Sequence, residues 1–338
     1  MTRGGAPSVT MADVARQASV SPATVSRTLS GVRDVDPDLQ ARVLAAAEAL
    51  GYRVNLVGRA LRQRRTSTVG LIVPDFENPF FSSLAQHLTK AFVAPEIDLL
   101  VFSANSSLDT ELRGVQSFIG RQVDALVIIP VNEVDSTQSV DLAASSVATI
   151  QLDRRVPRTG AHFVGVDNKV GMRLVGEHVH ASADLARQPV VFVGAEPLSS
   201  SAHERLDGFR RWFGDEPPVL LGSFNSSWGF EAADRLLSAG WRTGTIVTAA
   251  DVIAIGLLSR LHAAGFSVPE QFRVIGFDGV GVSRLAHPTL TTIRQPVETM
   301  SREIRTLIET AISGSDRSPT SRRIRPSLVI GESSPERA

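Results

Sequence analysis

Few side chains in this 338-residue chain have the spacing that catalysis needs. His178 and His180 are the only close pair among seven histidines, and two positions apart on a helix they point away from each other, so they do not share a metal. Ser199, Ser200 and Ser201 lie near His203, a nucleophile beside a base, yet no G-x-S-x-G turn presents any of them. The glycines of GFDGVG (276–281) have the wrong spacing for a dinucleotide loop, and neither HExxH nor a Walker sequence occurs. Cysteine is absent, which removes disulfides and thiolate chemistry and fits a reducing cytoplasm. What remains is binding chemistry. Asp153 ends the apolar run IQLD and Asp278 ends IGFD. A carboxylate at a strand end accepts paired hydrogen bonds from vicinal hydroxyls, which favours a polyol over an apolar ligand. The sequence points to a protein of recognition, with no catalytic residues, cofactor or metal.

A second kind of recognition is written into residues 9–29, VTMADVARQASVSPATVSRTL. Thr10 is placed to cap a helix, with Asp13 where a capping-box acid reaches back. That helix, 11–18, buries Val14, Ala15 and Ala18 on one stripe. Ser19, Val20 and Ser21 make a turn; Ser21 caps a second helix, and Pro22 suits its first position. Val25 and Leu29 face the core, which leaves Pro22, Ala23, Thr24, Ser26 and Arg27 on the outer side and leading end. Short polar and small side chains at a helix amino end are what a major-groove reader presents to base edges and phosphates. A third helix starts at Asp36 and Pro37, carries Leu39, Val43, Leu44, Ala47 and Leu50 at helical spacing, and stops at Gly51.

Charge supports the division. Residues 1–65 carry ten Arg and five acids, net +5, so within an overall charge of zero the remainder is −5. A basic amino-terminal segment on a mildly acidic body is the footprint of a nucleic-acid module attached to a ligand or assembly domain. No apolar run approaches a membrane span, and MTRGGAPSV lacks a signal-peptide core, so a cytoplasmic protein without a membrane partner is expected.

From Thr68 the pattern alternates apolar strands (69–74, 97–104, 124–131, 147–153, 162–167) with amphipathic helices, and the theme repeats at 189–195, 218–224, 243–249 and 272–279. Strands without polar alternation, separated by helices, call for parallel sheets covered on both faces. The expected fold is therefore an α/β core of two doubly wound parallel-sheet subdomains, with a small all-α headpiece and ligand between the subdomains at the strands' carboxyl ends.

The run VTMADVARQASVSPATVSRTLSG resembles the helix-turn-helix of the lac repressor family of bacterial transcription regulators, and the resemblance extends from Val9 to about Ser334. It implies a headpiece over 1–53 and a hinge over 54–67. It also implies a core like that of periplasmic sugar-binding proteins, crossed three times by the chain, near Val166, Thr292 and Ser318. The first subdomain would be 68–166 with 293–317, including the last helix (298–312). The second would be 167–292 with 318–338, including the strand in SLVIGESS. In the family the segment NLVGRALRQRR forms a hinge helix in the minor groove, where Leu61 would wedge between base steps. Gly58 stands there in place of the usual Ala, at about 1 kcal/mol in helix propensity. DNA contacts implied are Thr10, Ser21, Pro22, Ala23, Thr24, Ser26 and Arg27 from the headpiece and Asn55, Arg59 and Leu61 from the hinge. Effector contacts implied by position are Arg205, an apolar wall of Phe80 or Phe81 and Phe224, and Asp153, Asp251, Asp278 and Gln295. Asp251 has the alternative of merely capping the next helix. The chain departs from the pattern at Ala250, Gly279 and Gly331, where many relatives carry Asn, Asp and Arg.

Together these imply a homodimeric, nucleoid-associated repressor that binds pseudo-palindromic double-stranded operator DNA and responds to a small-molecule effector of the sugar class. Without a leucine-rich tail after Ala338, a tetramer is not expected. The competing reading is a sugar-binding or transport protein that shares the core fold without regulating genes. Residues 9–65 and the missing signal peptide argue against it.

Overall fold

The computed structural model describes residues 9–30, 35–53, 65–94, 96–183, 188–313 and 318–336. They form two compact units, one up to Thr66 and one from Ser67 onward.

The first unit contains three helices, α1 (Met11–Gln17), α2 (Pro22–Ser30) and α3 (Pro37–Ala49). The expected capping box closes α1: Thr10 N–H donates to Asp13 Oδ2 at 2.9 Å and Asp13 N–H to Thr10 Oγ1 at 3.4 Å. Ser19, at φ 52°, turns the chain, and the Arg42 guanidinium of α3 donates to the carbonyls of Ala18 and Ser19, so the turn is closed from across the unit. Ser21 Oγ accepts from Thr24 N–H at 3.1 Å, and Asp36 Oδ1 accepts from Asp38 and Leu39 N–H. The core is small: Val14, Ala15, Ala18, Val25, Val43, Ala46 and Ala47. Leu44, expected inside, is 49% exposed, and Ala46 takes the inward place because three short helices pack closest through small side chains.

The second unit holds two six-stranded sheets. The first comprises β1 (Thr68–Val73), β2 (Asp98–Ser103), β3 (Ala125–Ile128), β4 (Ala148–Leu152), β5 (His162–Val166) and the late strand β11 (Ser321–Ile324). Their order is β11-β5-β4-β3-β1-β2, parallel throughout. Helices α4 (Pro79–Phe92) and α11 (Val297–Ser313) cover one face, α5 (Leu108–Gly120) and α6 (Thr137–Ser146) the other. Alternation along β1 serves both layers: Val69, Leu71 and Val73 pack with Leu84, Leu88 and Ile304, whereas Ile72 packs with Val115 and Val140.

The second sheet comprises β6 (Val190–Ala195), β7 (Val219–Gly222), β8 (Gly244–Thr248), β9 (Phe272–Asp278), β10 (Thr291–Arg294) and β12 (Ser327–Val329), in the order β12-β10-β9-β8-β6-β7. Its helices are α7 (Asn168–Ser182), α8 (Ser200–Phe213), α9 (Ser226–Ser238) and α10 (Asp251–Ala263). β12 runs antiparallel to β10, a departure from the all-parallel expectation.

The last two crossings differ from those expected. β10 continues to Arg294, which moves the second crossing to Gln295 and Pro296. Residues 321–324 pair with β5 in the first sheet, so the third crossing lies between Ile324 and Ser327, not at Ser318. SRRI was not legible as a strand because its two arginines break the apolar run, which an edge strand tolerates and a central one does not. Among the described residues no helix is long and apolar enough to cross a membrane.

Candidate functional site

In the headpiece, Ser21, Pro22, Ala23 and Arg27 are exposed, Thr24 and Ser26 half-buried, and Val25 fully buried beneath them. One face of α2 is thereby held outward by its own core residue. The exposed end is ordered locally: Ser21 Oγ and Thr24 Oγ1 are 2.9 Å apart, and Arg27 Nε donates to Ala23 O at 3.3 Å. Thr10 is exposed but its hydroxyl donates to Asp13 Oδ2 at 2.7 Å, and the hydrogen bonds from Thr10 hold the Asp13 carboxyl below its ordinary pKa. Asn55, Arg59 and Leu61 lie outside the described residues.

In the second unit the strands' carboxyl ends open onto a cleft of about 1010 Å³ between the two sheets' lobes. The first lobe supplies Asp75, Phe76, Asn105, Ser106, Val131 and Arg154; the second supplies Glu196, Leu198, Ser199, Ser223, Phe224 and Asn225. Arg154 follows Asp153 at the end of β4, and its guanidinium spans the gap. Its carbon Cζ is 5.3 Å from the Phe81 ring of one lobe and 5.2 Å from the Phe224 ring of the other. Such cation–π contacts hold a charge without using its N–H donors.

Behind this lies a buried polar joint. Arg205, on α8, donates through Nε to Asn168 Oδ1 at 3.0 Å and through Nη1 to Ala249 O at 2.7 Å, and Nη1 lies 3.3 Å from Asp278 Oδ1. Its Nη2 is 3.9 Å from Asp153 Oδ1 of the other lobe, and the guanidinium stacks 3.9 Å from the Phe277 ring centre. Gln295 Nε2 donates to Asp278 Oδ1 at 2.8 Å. Both strand-end carboxylates sit on left-handed backbone, Asp153 at φ 61° and Asp278 at φ 121°. A non-glycine residue there stores about 1–3 kcal/mol of strain, a signature of residues held for function. Gly279, at φ 68°, follows Asp278, and a Cβ there would meet Arg294 Cα at 2.5 Å. An Asp at that position is therefore excluded by the close approach of the backbone.

Burial dominates the electrostatics. It pushes the Asp278 carboxyl up to about 8 against the pull of Arg205, and the Asp251 carboxyl up to about 6 against the hydrogen bonds from Ser283, Thr292 and Val280. Burial likewise raises Asp153 and lowers Arg154, the two opposing each other at 4.0 Å. Among the buried side-chain atoms of the described residues that have no hydrogen-bond partner are Asp153 Oδ1, Arg154 Nε and Gln295 Oε1. Buried orphans of this kind carry a penalty of about 1–3 kcal/mol each, so a group that satisfies them gains affinity.

The sequence-expected contacts thus fall into separate places. Phe224 lines the open cleft; Asp153 and Arg205 form the joint; Phe80, Asp278 and Gln295 line a second cavity of about 390 Å³. Phe81 is core, reached by Arg154. Asp251 is the exception. It neither lines the cleft nor caps α10; its carboxylate accepts from Val280 N–H, Ser283 Oγ and Thr292 Oγ1 and fastens the β9–β10 connection. Arg154 was missed by sequence reasoning, although the doubled arginine after an apolar strand was its signal. Glu111 was missed too: buried on α5, it accepts from Val131 N–H at 2.7 Å and Ser136 Oγ at 3.1 Å and so shapes a cleft loop, and burial raises its pKa. Among the described residues no group of three His, Cys, Asp or Glu could hold a metal.

A helix-turn-helix unit and a two-lobed core with a polar interlobe cleft define a regulator that couples DNA reading to a ligand-binding body. Residues 10–55 match the family of bacterial regulatory proteins of the lacI type, and residues 183–334 match a periplasmic-binding-protein-like domain. The regulator AscG of Escherichia coli K12 is 32% identical over 323 residues, covering 92% of this chain and 94% of its own. The regulator MalR of Streptomyces coelicolor is 30% identical over 338 residues, with 95% of each chain covered. Among solved structures, the lac repressor dimer bound to operator and the anti-inducer ONPF superposes with a TM-score of 0.85 at 22% identity, over 97% of this chain and 99% of that one. The CelR–cellobiose complex gives a TM-score of 0.70 at 26% identity, over 96% and 99%. The chain belongs to the lacI family of bacterial regulatory proteins, and it is a DNA-binding transcriptional regulator, not an enzyme.

Proposed function

We propose that this regulator is a homodimeric repressor, working in the cytoplasm at the nucleoid, whose operator affinity is set by a sugar bound between the lobes. The observation that carries this reading is Arg205. Beneath the cleft it approaches a carboxylate of each lobe, Asp153 and Asp278, with unsatisfied polar atoms beside it. A ligand that satisfies those atoms interacts differently with each lobe arrangement, which is the requirement for allosteric control. In this reading Arg154 and Phe224 line the effector cleft, Asp153, Arg205, Asp278 and Gln295 form the buried joint behind it, with Phe80 and Phe81 packed nearby, and Asp251 supports it. The ligands of two similar solved structures support a sugar: cellobiose in CelR and ribose in the Enterococcus faecium regulator.

The headpiece (1–53) would read the major groove through Ser21, Pro22, Ala23, Thr24, Ser26 and Arg27, with Thr10 at the backbone. The hinge (54–67) would enter the minor groove with Asn55, Arg59 and Leu61. The lac repressor is solved as a dimer on operator DNA, and this chain has a surface suited to a second copy. β2 is an edge strand with Leu100 and Val101 exposed, and Val93 is exposed after α4. Two headpieces imply a pseudo-palindromic operator.

Fluorescence anisotropy with palindromes from the regulator's own promoter tests the reading. Specific binding should exceed that to random DNA by at least about a thousandfold, and an effector should change it. Equal affinity for both DNAs refutes the regulator's operator specificity, and indifference to every cleft ligand refutes effector control.

A further inference from the structure

We infer that the interlobe cleft is built for a neutral oligosaccharide of at least two rings, not for a single hexose or a phosphorylated sugar; this rests on the reading of the cleft as the effector site. Size is the first reason. At about 1010 Å³ the cleft stands at the upper end of the roughly 300–1,000 Å³ found for small-molecule sites. One hexose would leave most of it to water.

The two ends of the cleft differ in chemistry, which a single ring cannot exploit. At the inner end the Arg154 guanidinium lines the cleft, held by its cation–π contacts and not by its N–H donors, so a ring hydroxyl there gains a charge-assisted hydrogen bond while the ring lies against Phe224. At the mouth, Phe76 of the first lobe is 52% exposed and Leu198 of the second 55% exposed. Large apolar side chains left open on the two sides of one polar cleft can cover the C–H faces of a second ring. Asn105 and Ser106, at φ 50° and 52°, line the same cleft as Phe76 and add polar side chains to it.

Charge selects against anions. Asp75, Glu77 and Glu196 line the cleft, and Arg154 is the only cation among the lining residues, already opposed by Asp153 at 4.0 Å. A phosphate would meet more negative than positive charge, three carboxylates against one guanidinium, whereas neutral hydroxyls donate to these carboxylates without penalty.

The test is calorimetry on the full-length protein with glucose, galactose, α- and β-linked disaccharides of each, and glucose 6-phosphate, together with operator release by each sugar. At least one disaccharide should bind about tenfold more tightly than its own monosaccharide, and glucose 6-phosphate more weakly than glucose. Phe76→Ala, at an exposed position where Tm should not move, should remove that disaccharide advantage, weakening the disaccharide more than the monosaccharide. Equal affinity for one ring and two, tighter binding of the phosphate, or a disaccharide advantage that survives Phe76→Ala overturns the inference. If no sugar binds but another metabolite releases the operator, this inference and the sugar assignment both fail, and only effector control of operator binding stands. If a disaccharide binds with the expected preference but never alters operator affinity, the effector reading fails and the specificity stands.

Discussion

Arg323 and Glu204 join the two lobes through a two-pronged ion pair, Nη1 to Oε2 at 2.9 Å and Nη2 to Oε1 at 2.6 Å. Arg323 lies on β11 of the first lobe and Glu204 on α8 of the second, one residue before Arg205. Adjacent side chains of α8 therefore face different tasks: Glu204 fixes the lobes to each other and Arg205 underlies the cleft. Asn168 Nδ2 donates to the same carboxylate at 2.9 Å, and Arg155 stands 3.8 Å away. Burial works to raise the Glu204 pKa, yet the bonds from Arg323 and Asn168 outweigh it and hold the carboxyl low.

Glu204→Gln should weaken this clamp without removing the amide contact. The pair is partly buried and bidentate, so a loss of about 1–2 kcal/mol in core stability is expected. It should also shift the effector concentration that half-releases operator, because the lobe angle is less constrained. Urea unfolding and operator titration in parallel check this, and unchanged half-release would show that the clamp is structural only.

Arg205→Ala leaves buried Asp153 with Arg154 as its remaining cation and strips a donor from Asn168 Oδ1, Ala249 O and Asp278 Oδ1. A destabilisation of about 3–5 kcal/mol follows from removing one partner of a buried pair. Arg205→Lys should recover only part of it, since one ammonium cannot reach Asn168, Ala249 and Asp278 in a planar fork. Thermal unfolding of the three proteins distinguishes this from a ligand contact alone, for which stability without effector would be unchanged.

Asp278 gives the core a pH dependence of known sign. Its folded-state pKa, about 8, lies above the ordinary 3.8, so the folded protein keeps a proton that the unfolded chain releases. Its contribution is fully present below about pH 4 and is lost as pH rises through about 8. Asp251, raised to about 6, acts in the same direction over a lower window. Asp278→Asn should flatten the fall in Tm between about pH 5 and about pH 8. An equally steep fall in the variant would assign the dependence elsewhere.

Gly331→Arg, the residue that the family resemblance implies at this position, should destabilise. A Cβ at 331 would meet Thr289 O at 2.5 Å and Leu290 C at 2.7 Å, backbone atoms that cannot rotate aside. A loss of about 2 kcal/mol or more in urea unfolding is expected; retained stability would mean that the tail strand moves freely.

The sequence by itself determined the parts whose information is local. The capping box of Thr10 and Asp13, the Ser21 cap and the stripe of Val14, Ala15 and Ala18 depend on neighbours within a few residues, and each is found as read. Unbroken apolar runs likewise gave the core strands, because a central parallel strand must be apolar on both faces. Tertiary structure decided what depends on distant partners. SRRI is a strand only because β5 offers an edge for it, and Asp251 is a latch, not a pocket residue, only because the β9–β10 connection folds over its carboxylate. Arg154 spans the cleft because Phe81 and Phe224, 143 residues apart in the sequence, approach it from opposite lobes. No periodicity encodes that meeting; burial, charge pairing and the close passage of the two lobes do.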